Sequence, residues 1–132
     1  MPISEDQNQE LKVLVVDDFA SMRDLIRKSL TRLGFSQISM ATGAVDAVRQ
    51  IEAGEQFDLI ISDWNMPNMT GLELLNYVRA EKQLENVPFL MITAEAQREN
   101  IIEAAKAGVS QYIVKPFTEE ALQEKIKSIL PK

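Results

Sequence analysis

The sequence predicts an α/β fold: a doubly wound parallel sheet of five strands between two helical layers. Three observations predict it. Five short apolar runs alternate with stretches whose apolar residues recur every three to four positions, which reads as a strand followed by a helix five times over. The runs are almost continuously apolar rather than alternating, as strands are when helices cover both faces of a sheet. Four of them stop abruptly at polar residues, namely Asp17-Asp18, Asp63, Thr93 and Lys115-Pro116. Right-handed crossovers turn such a (βα)5 order into a three-layer sandwich.

The elements follow in order. Strand 1 covers Leu11 to Val16, and helix 1 covers Phe19 to Leu33. Met22, Ile26, Ser29, Leu30 and Leu33 share one face of that helix, and Gly34 stops it. Strand 2 is Gln37 to Ala41, and helix 2 is Ala44 to Ala53, ended by Gly54. Strand 3 is Leu59 to Ser62. Gly71 leads into helix 3, with Leu72, Leu75 and Val78 inward. Pro88 precedes strand 4, Phe89 to Ile92, and helix 4 runs from Gln97 to Ala107 before Gly108. Strand 5 is Tyr112 to Val114. Helix 5 is Thr118 to Leu130, with Leu122, Ile126 and Ile129 inward.

A length of 132 residues predicts one domain, large enough to bury roughly two-thirds of its unfolded surface. Residues 1–10 are polar, lack a signal-peptide core and read as a flexible N-terminal tail. Residues 11–132 then form a single domain with no output domain behind helix 5, expected to be monomeric and cytoplasmic. No apolar stretch approaches a membrane span. A net charge of −6 argues against nucleic acid or an anionic membrane as partner. The absence of cysteine excludes disulfides and thiolate chemistry. The absence of histidine removes the serine-protease triad, the usual general base and most transition-metal sites. Carboxylate, hydroxyl and amine remain.

Those groups stand where open α/β sheets put their chemistry, at the carboxyl ends of the strands. Each has an ordinary alternative. Asp17-Asp18 is a natural helix cap, and two adjacent carboxylates equally relieve their repulsion by binding a cation. With Asp63 beside them they make an all-oxygen site suited to Mg²⁺, which keeps several waters and needs few protein ligands. Asp63 is either a loop residue before the Met66-Pro67-Asn68 turn or a carboxylate nucleophile able to form an acyl phosphate. Lys115 is either a solvated strand-end lysine or a point charge for a phosphoryl oxygen, and a cis Lys115–Pro116 bond would aim it back at the site. Thr93 either ends a strand or offers its hydroxyl to the same oxygen, and Tyr112 reads first as core packing. Trp64 is expected to be partly exposed, and the methionines to fill the core. No glycine-rich phosphate loop is present.

Several segments carry a resemblance over Leu11 to Leu130. They are Val15-Val16-Asp17-Asp18-Phe19, Ser62-Asp63-Trp64-Asn65-Met66-Pro67-Asn68-Met69, Gly71-Leu72-Glu73-Leu74-Leu75, Met91-Ile92-Thr93-Ala94-Glu95-Ala96, Glu99-Asn100-Ile101-Ile102, and Tyr112-Ile113-Val114-Lys115-Pro116-Phe117-Thr118. Together they resemble the receiver domain of bacterial response regulators, and most closely the stand-alone receivers of chemotaxis. The flavodoxin-like strand order 2-1-3-4-5, of which this family is itself a standard example, is implied by the resemblance and not by the pattern.

The resemblance implies roles. Asp63 is the expected phospho-acceptor, with Thr93 and Lys115 on the phosphoryl group. Asp17, Asp18, Asp63 and the backbone carbonyl of Asn65 are the expected Mg²⁺ ligands. Thr93 and Tyr112 form the expected switch, and Asn65 and Glu95 flank the site and tune phosphate lifetime. The implied donor is a CheA-type histidine kinase, with small donors such as acetyl phosphate also competent. The implied output is binding of the flagellar switch protein FliM by the face of helix 4, strand 5 and helix 5, through Ala96, Arg98, Ile101, Ala105, Tyr112, Val114, Phe117 and Lys125. A CheZ-type phosphatase is a further implied partner. Such a protein is a signalling receiver and not an enzyme, acting only in its own phosphotransfer and autodephosphorylation.

Other positions depart from the motor-binding pattern. Gln97 replaces a basic residue, Glu119 and Glu120 add negative charge, Ser128 stands for lysine, and Val109 for alanine. The Ala41-Thr42-Gly43-Ala44 turn lacks the common acidic-Gly pair. These keep open a phosphate sink or a non-motor partner. A flavodoxin-like cofactor binder is a remote alternative, because Asp-Asp at the first strand end would repel a cofactor phosphate. A phosphorylation-independent interaction domain is the third.

Overall fold

The apolar runs pair side by side because their nearly unbroken apolar character satisfies two buried faces at once. In the computed structural model, which describes residues 5–94 and 97–130, strands and helices alternate. They run β1 Lys12–Val16, α1 Ala20–Arg32, β2 Gln37–Ala41, α2 Ala44–Glu52, β3 Leu59–Asp63, α3 Gly71–Ala80, β4 Phe89–Thr93, α4 Arg98–Ala107, β5 Gln111–Val114 and α5 Glu119–Ile129. The five strands form one parallel sheet in the order β2-β1-β3-β4-β5, the order the resemblance implies.

The period of two divides each strand between two cores. Val13, Val15, Leu59, Ile61, Leu90 and Ile92 meet Ile26 and Leu30 of α1 and Leu122 and Ile126 of α5. Leu14, Val16, Ile60, Phe89 and Met91 meet Ala47 of α2 and Leu74, Leu75 and Val78 of α3. Each fully buried Leu, Ile or Phe contributes about 1.5–3 kcal/mol relative to exposure. In α3, Leu74 is fully buried, whereas the Leu72 expected inward is half-buried against the same cluster. Met66 and Met91 are buried, as expected of core filler.

Two strands run one residue further than their apolar runs. Asp63 and Thr93 are the last residues of β3 and β4 and are paired in the ladder with Ile92 and Val114. The polarity that ends the run therefore does not end the strand. Parallel pairing continues until the backbone leaves the sheet, so both side chains inherit the rigidity of a central strand.

The segment expected as a tail over residues 1–10 carries local structure among its described residues. Glu5–Asn8 form one helical turn. Asn8 is 6% exposed, and its side-chain amide donates to the carbonyl of Leu33 at 2.6 Å. The Gln9 carbonyl accepts from the side chains of Ser36 and Gln37. A polar segment is held here because it satisfies carbonyl and side-chain groups left open where α1 ends. Residues 1–4 lie outside the described residues.

Candidate functional site

The β2-β1-β3-β4-β5 order puts β1 and β3 together at the centre, so the carboxyl ends of these strands converge. Asp17 follows β1, and its amide donates to the carbonyl of Ala41, which continues the ladder past the strand. Asp63 ends β3. One carboxylate oxygen each from Asp17, Asp18 and Asp63 lie within 4.8 Å of one another. Asp17 is 0% exposed and Asp63 2%, with Asp18 half-buried above them.

Lys115 closes the site from the far side of β4. Its ammonium stands 3.0 Å from Oδ1 of Asp63. Its amide donates to the carbonyl of Thr93 at 2.8 Å, and the Lys115–Pro116 peptide is cis. Thr93 is 4% exposed at the end of β4, between the Asp63 and Lys115 strands. Register places Met91 opposite Tyr112 and Thr93 opposite Val114, so Thr93 and Tyr112 lie on one face of the sheet.

One lysine does not neutralise three carboxylates. Burial is the main cause that holds the Asp63 carboxyl above its ordinary value, although Lys115 pulls it down. Burial likewise raises Asp17, against the Phe19 amide that donates to its Oδ1 at 2.9 Å. Oδ2 of Asp17 and Oδ1 of Asp18 are buried without a hydrogen-bond partner. Orphaned buried carboxylate oxygens are costly unless paired or bound to a cation. Their anionic, all-oxygen character fits Mg²⁺.

Asp17 and Asp63 bind protons more tightly in the folded chain than at their ordinary value of 3.8. Their contribution to metal-free stability is thus full below 3.8 and lost as pH rises through the raised values. In chelator at pH 7, Asp17→Asn is expected to unfold at higher urea than the wild type, because Asn keeps the acceptor for Phe19 and sheds the charge. Mg²⁺ should reverse the order, since an ion at a hundred times its dissociation constant adds about 2.7 kcal/mol to a chain that binds it. Urea midpoints with and without Mg²⁺ check both signs.

The loop after Asp63 is fixed by α3. The Gly71 amide donates to the Trp64 carbonyl at 2.9 Å, and Thr70 and Glu73 form a capping box. Asn65 is exposed on this loop and Trp64 is half-buried beside the site. Asn68 takes a positive φ of 73°, which Asn tolerates in a turn.

Most of the residues expected on the output face lie on α4, β5 and α5. Arg98 and Ala105 are exposed on α4, while Ile101, Tyr112, Val114 and Lys125 are half-buried. The Lys125 ammonium lies 5.8 Å from the Tyr112 ring centroid, joining β5 to α5. Phe117 instead packs on the α1/α5 core and lines the α1–α5 groove with Leu25 and Ser29. Glu119, expected as added charge on the output face, is drawn to α1 by Arg32 and the Ser29 hydroxyl. Glu95 and Ala96 lie outside the described residues. Sequence reasoning missed Arg23, whose guanidinium donates to the backbone carbonyl of Asp17 at 2.6 Å. Its position just after the acidic pair was the available signal.

Comparison with known proteins agrees with this geometry. Residues 13–127 match the family model of the response regulator receiver domain. The chain is 50% identical over 119 residues to the chemotaxis protein CheY of Pseudomonas aeruginosa, covering 90% of this chain and 95% of that one. It is 48% identical over 122 residues to CheY-3 of Vibrio cholerae, covering 92% and 93%. Among solved structures, Vibrio cholerae CheY4 superposes with a TM-score of 0.84 at 36% identity, over 91% of this chain and 98% of that one. The receiver domain of the Pseudomonas aeruginosa sensor histidine kinase PA1611, solved with a magnesium ion in its active-site cleft, gives 0.79 at 26% identity, over 90% and 96%. No helix among the described residues is long and apolar enough to cross a membrane.

Proposed function

The chain belongs to the response regulator receiver family, and on that premise we propose that it is a stand-alone chemotaxis regulator. Asp63 accepts a phosphoryl group from a CheA-type histidine kinase, and the α4–β5–α5 face then binds FliM. The observation that carries this reading is the cluster of Asp17, Asp18 and Asp63 with the Lys115 ammonium 3.0 Å from Oδ1 of Asp63. Asp17, Asp18, Asp63 and the Asn65 carbonyl would hold Mg²⁺, which when bound offsets charge on the phosphoryl oxygens.

The chain's own groups do the rest. A carboxylate oxygen of Asp63 attacks phosphorus, the phosphorus–nitrogen bond of the donor breaks, and its electron pair returns to the imidazole. The product is an acyl phosphate, which water later cleaves to restore the carboxylate. Lys115 supplies a cation to the transferred group, held close by its backbone bond to Thr93. The Thr93 hydroxyl donates to a phosphoryl oxygen. Tyr112, on the same sheet face, follows it inward and alters the output face. Glu95 and Asn65 set the lifetime of the phosphate, and a CheZ-type phosphatase is a candidate partner.

The test is the affinity for a FliM N-terminal peptide in Mg²⁺, with and without beryllofluoride, with Trp64 fluorescence reporting that the site is loaded. Roughly tenfold tightening, about 1.4 kcal/mol, is the expected result. Loading without tightening would overturn the motor reading and leave a phosphate sink or a non-motor partner. The removal of Glu119 to α1 favours the motor reading, since it takes one of the unfavourable charges away from the output face.

A further inference from the structure

Arg23 stands where local preference would not put a cation. It lies in the first turn of α1, a turn that holds no acidic residue, and its own amide closes an early helical bond to the Phe19 carbonyl. Positive charge at a helix N-terminus opposes the macrodipole. Residues that break a local rule tend to mark functional positions. Among the described residues Arg23 forms no ion pair with Asp17, Asp18 or Asp63. Its guanidinium donates instead to the backbone carbonyl of Asp17 at 2.6 Å.

That carbonyl belongs to the peptide joining Asp17 to Asp18. The Phe19 amide fixes the other end of the elbow by donating to Oδ1 of Asp17. With both contacts made, Oδ2 of Asp17 and Oδ1 of Asp18 are the oxygens left buried and unpartnered. We propose that Arg23 is a positioning residue of the metal site, locking the Asp17–Asp18 peptide so that these two oxygens face a divalent cation. It spends its charge on a carbonyl, and so orders the carboxylates without competing with the ion for them. This inference rests on the reading of the cluster as a Mg²⁺ site.

The sign of the effect separates positioning from charge. Removing a cation beside a divalent-ion site tightens the ion if only charge matters. Removing a partner that orients a ligand weakens it, by roughly 10–100-fold in metal sites generally. Mg²⁺ titration of Trp64 fluorescence, with the Mg²⁺-induced shift in urea midpoint as a second readout, should show Arg23→Met binding about tenfold more weakly than wild type. Arg23→Lys, which keeps the charge and one flexible donor, should fall between them. Equal or tighter binding by Arg23→Met overturns the inference. If Arg23→Met does not fold without metal, Arg23→Lys decides alone: weaker binding supports the inference, and wild-type affinity overturns it. A wild type that shows no Mg²⁺ response in either readout would instead overturn the metal-site reading itself.

Discussion

Asp63→Asn is expected to reduce phosphoryl uptake from acetyl phosphate to below about one part in a hundred of the wild-type rate, a loss of more than roughly 2.7 kcal/mol of transition-state stabilisation. The substitution is nearly isosteric, so it leaves the β3 ladder and the packing of a residue only 2% exposed in place. It also leaves a carbonyl oxygen for the Lys115 ammonium, which stands 3.0 Å from Oδ1 in the wild type. On the proposed reading it removes the anionic oxygen that attacks phosphorus, and neither neighbouring carboxylate of the cluster stands in the same place. Asp17 has one oxygen tied to the Phe19 amide, and Asp18 sits after the elbow and not in the sheet. Labelling with acetyl phosphate in Mg²⁺, read by intact mass, checks this. Stoichiometric labelling of Asp63→Asn at another residue would sink the assignment.

The fold was legible because this sheet is covered on both sides. Runs such as Leu59-Ile60-Ile61 and Phe89-Leu90-Met91-Ile92 are apolar at every position, and only a doubly covered strand needs that. The candidate site was legible because its groups sit one step beyond those runs. The same polarity that makes Asp63 and Thr93 conspicuous makes them resemble terminators, so side-chain pattern alone ends each strand one residue short. Hydrophobic pattern reports burial, whereas the ladder is held by backbone bonds that are blind to side-chain polarity.

What the sequence hid is of another kind. The turn at Glu5–Asn8 and the burial of Asn8 depend on an amide reaching the Leu33 carbonyl, a contact between polar groups with no periodic signature. Glu119 and Arg32 are 87 positions apart, so a charge expected on the output face proves to be half of an α1–α5 link. Phe117 turns to the α1/α5 core by the course of the loop after Pro116 and not by any helical period. Arg23 acts on a backbone carbonyl, and such contacts leave no trace in the pattern of side-chain types. Long-range polar pairs are specified by topology, and they appear only once the strand order is fixed.

Gly71→Ala is expected to destabilise the chain and to slow labelling of Asp63, although Ala is the better helix former. Gly71 is the first residue of α3, and in a helix interior exchanging Gly for Ala gains about 0.5–1 kcal/mol. Its backbone is not in the left-handed region, so conformation alone gives no reason for glycine. The reason is distance. A Cβ at this position would lie 2.2 Å from the carbonyl oxygen of Asp63, 2.8 Å from the Met91 sulfur and 3.0 Å from Cα of Trp64. Met91 can yield, being a flexible thioether, but the Asp63 carbonyl belongs to a central strand and cannot move without carrying the acceptor with it. Overpacking typically costs about 1–3 kcal/mol, which outweighs the propensity gain. The Gly71–Trp64 hydrogen bond must lengthen too, releasing the loop that carries Asn65. The net expectation is a loss of about 1–2 kcal/mol in urea unfolding, together with a labelling rate reduced more than folded population explains. Gly43→Ser is the matched control: a Cβ there meets nothing within 4 Å, its φ of 176° is open to any residue, and Ser is a good N-cap for α2. If Gly71→Ala matched the control in stability and in labelling, the close approach of α3 to the acceptor strand would have no bearing on the site.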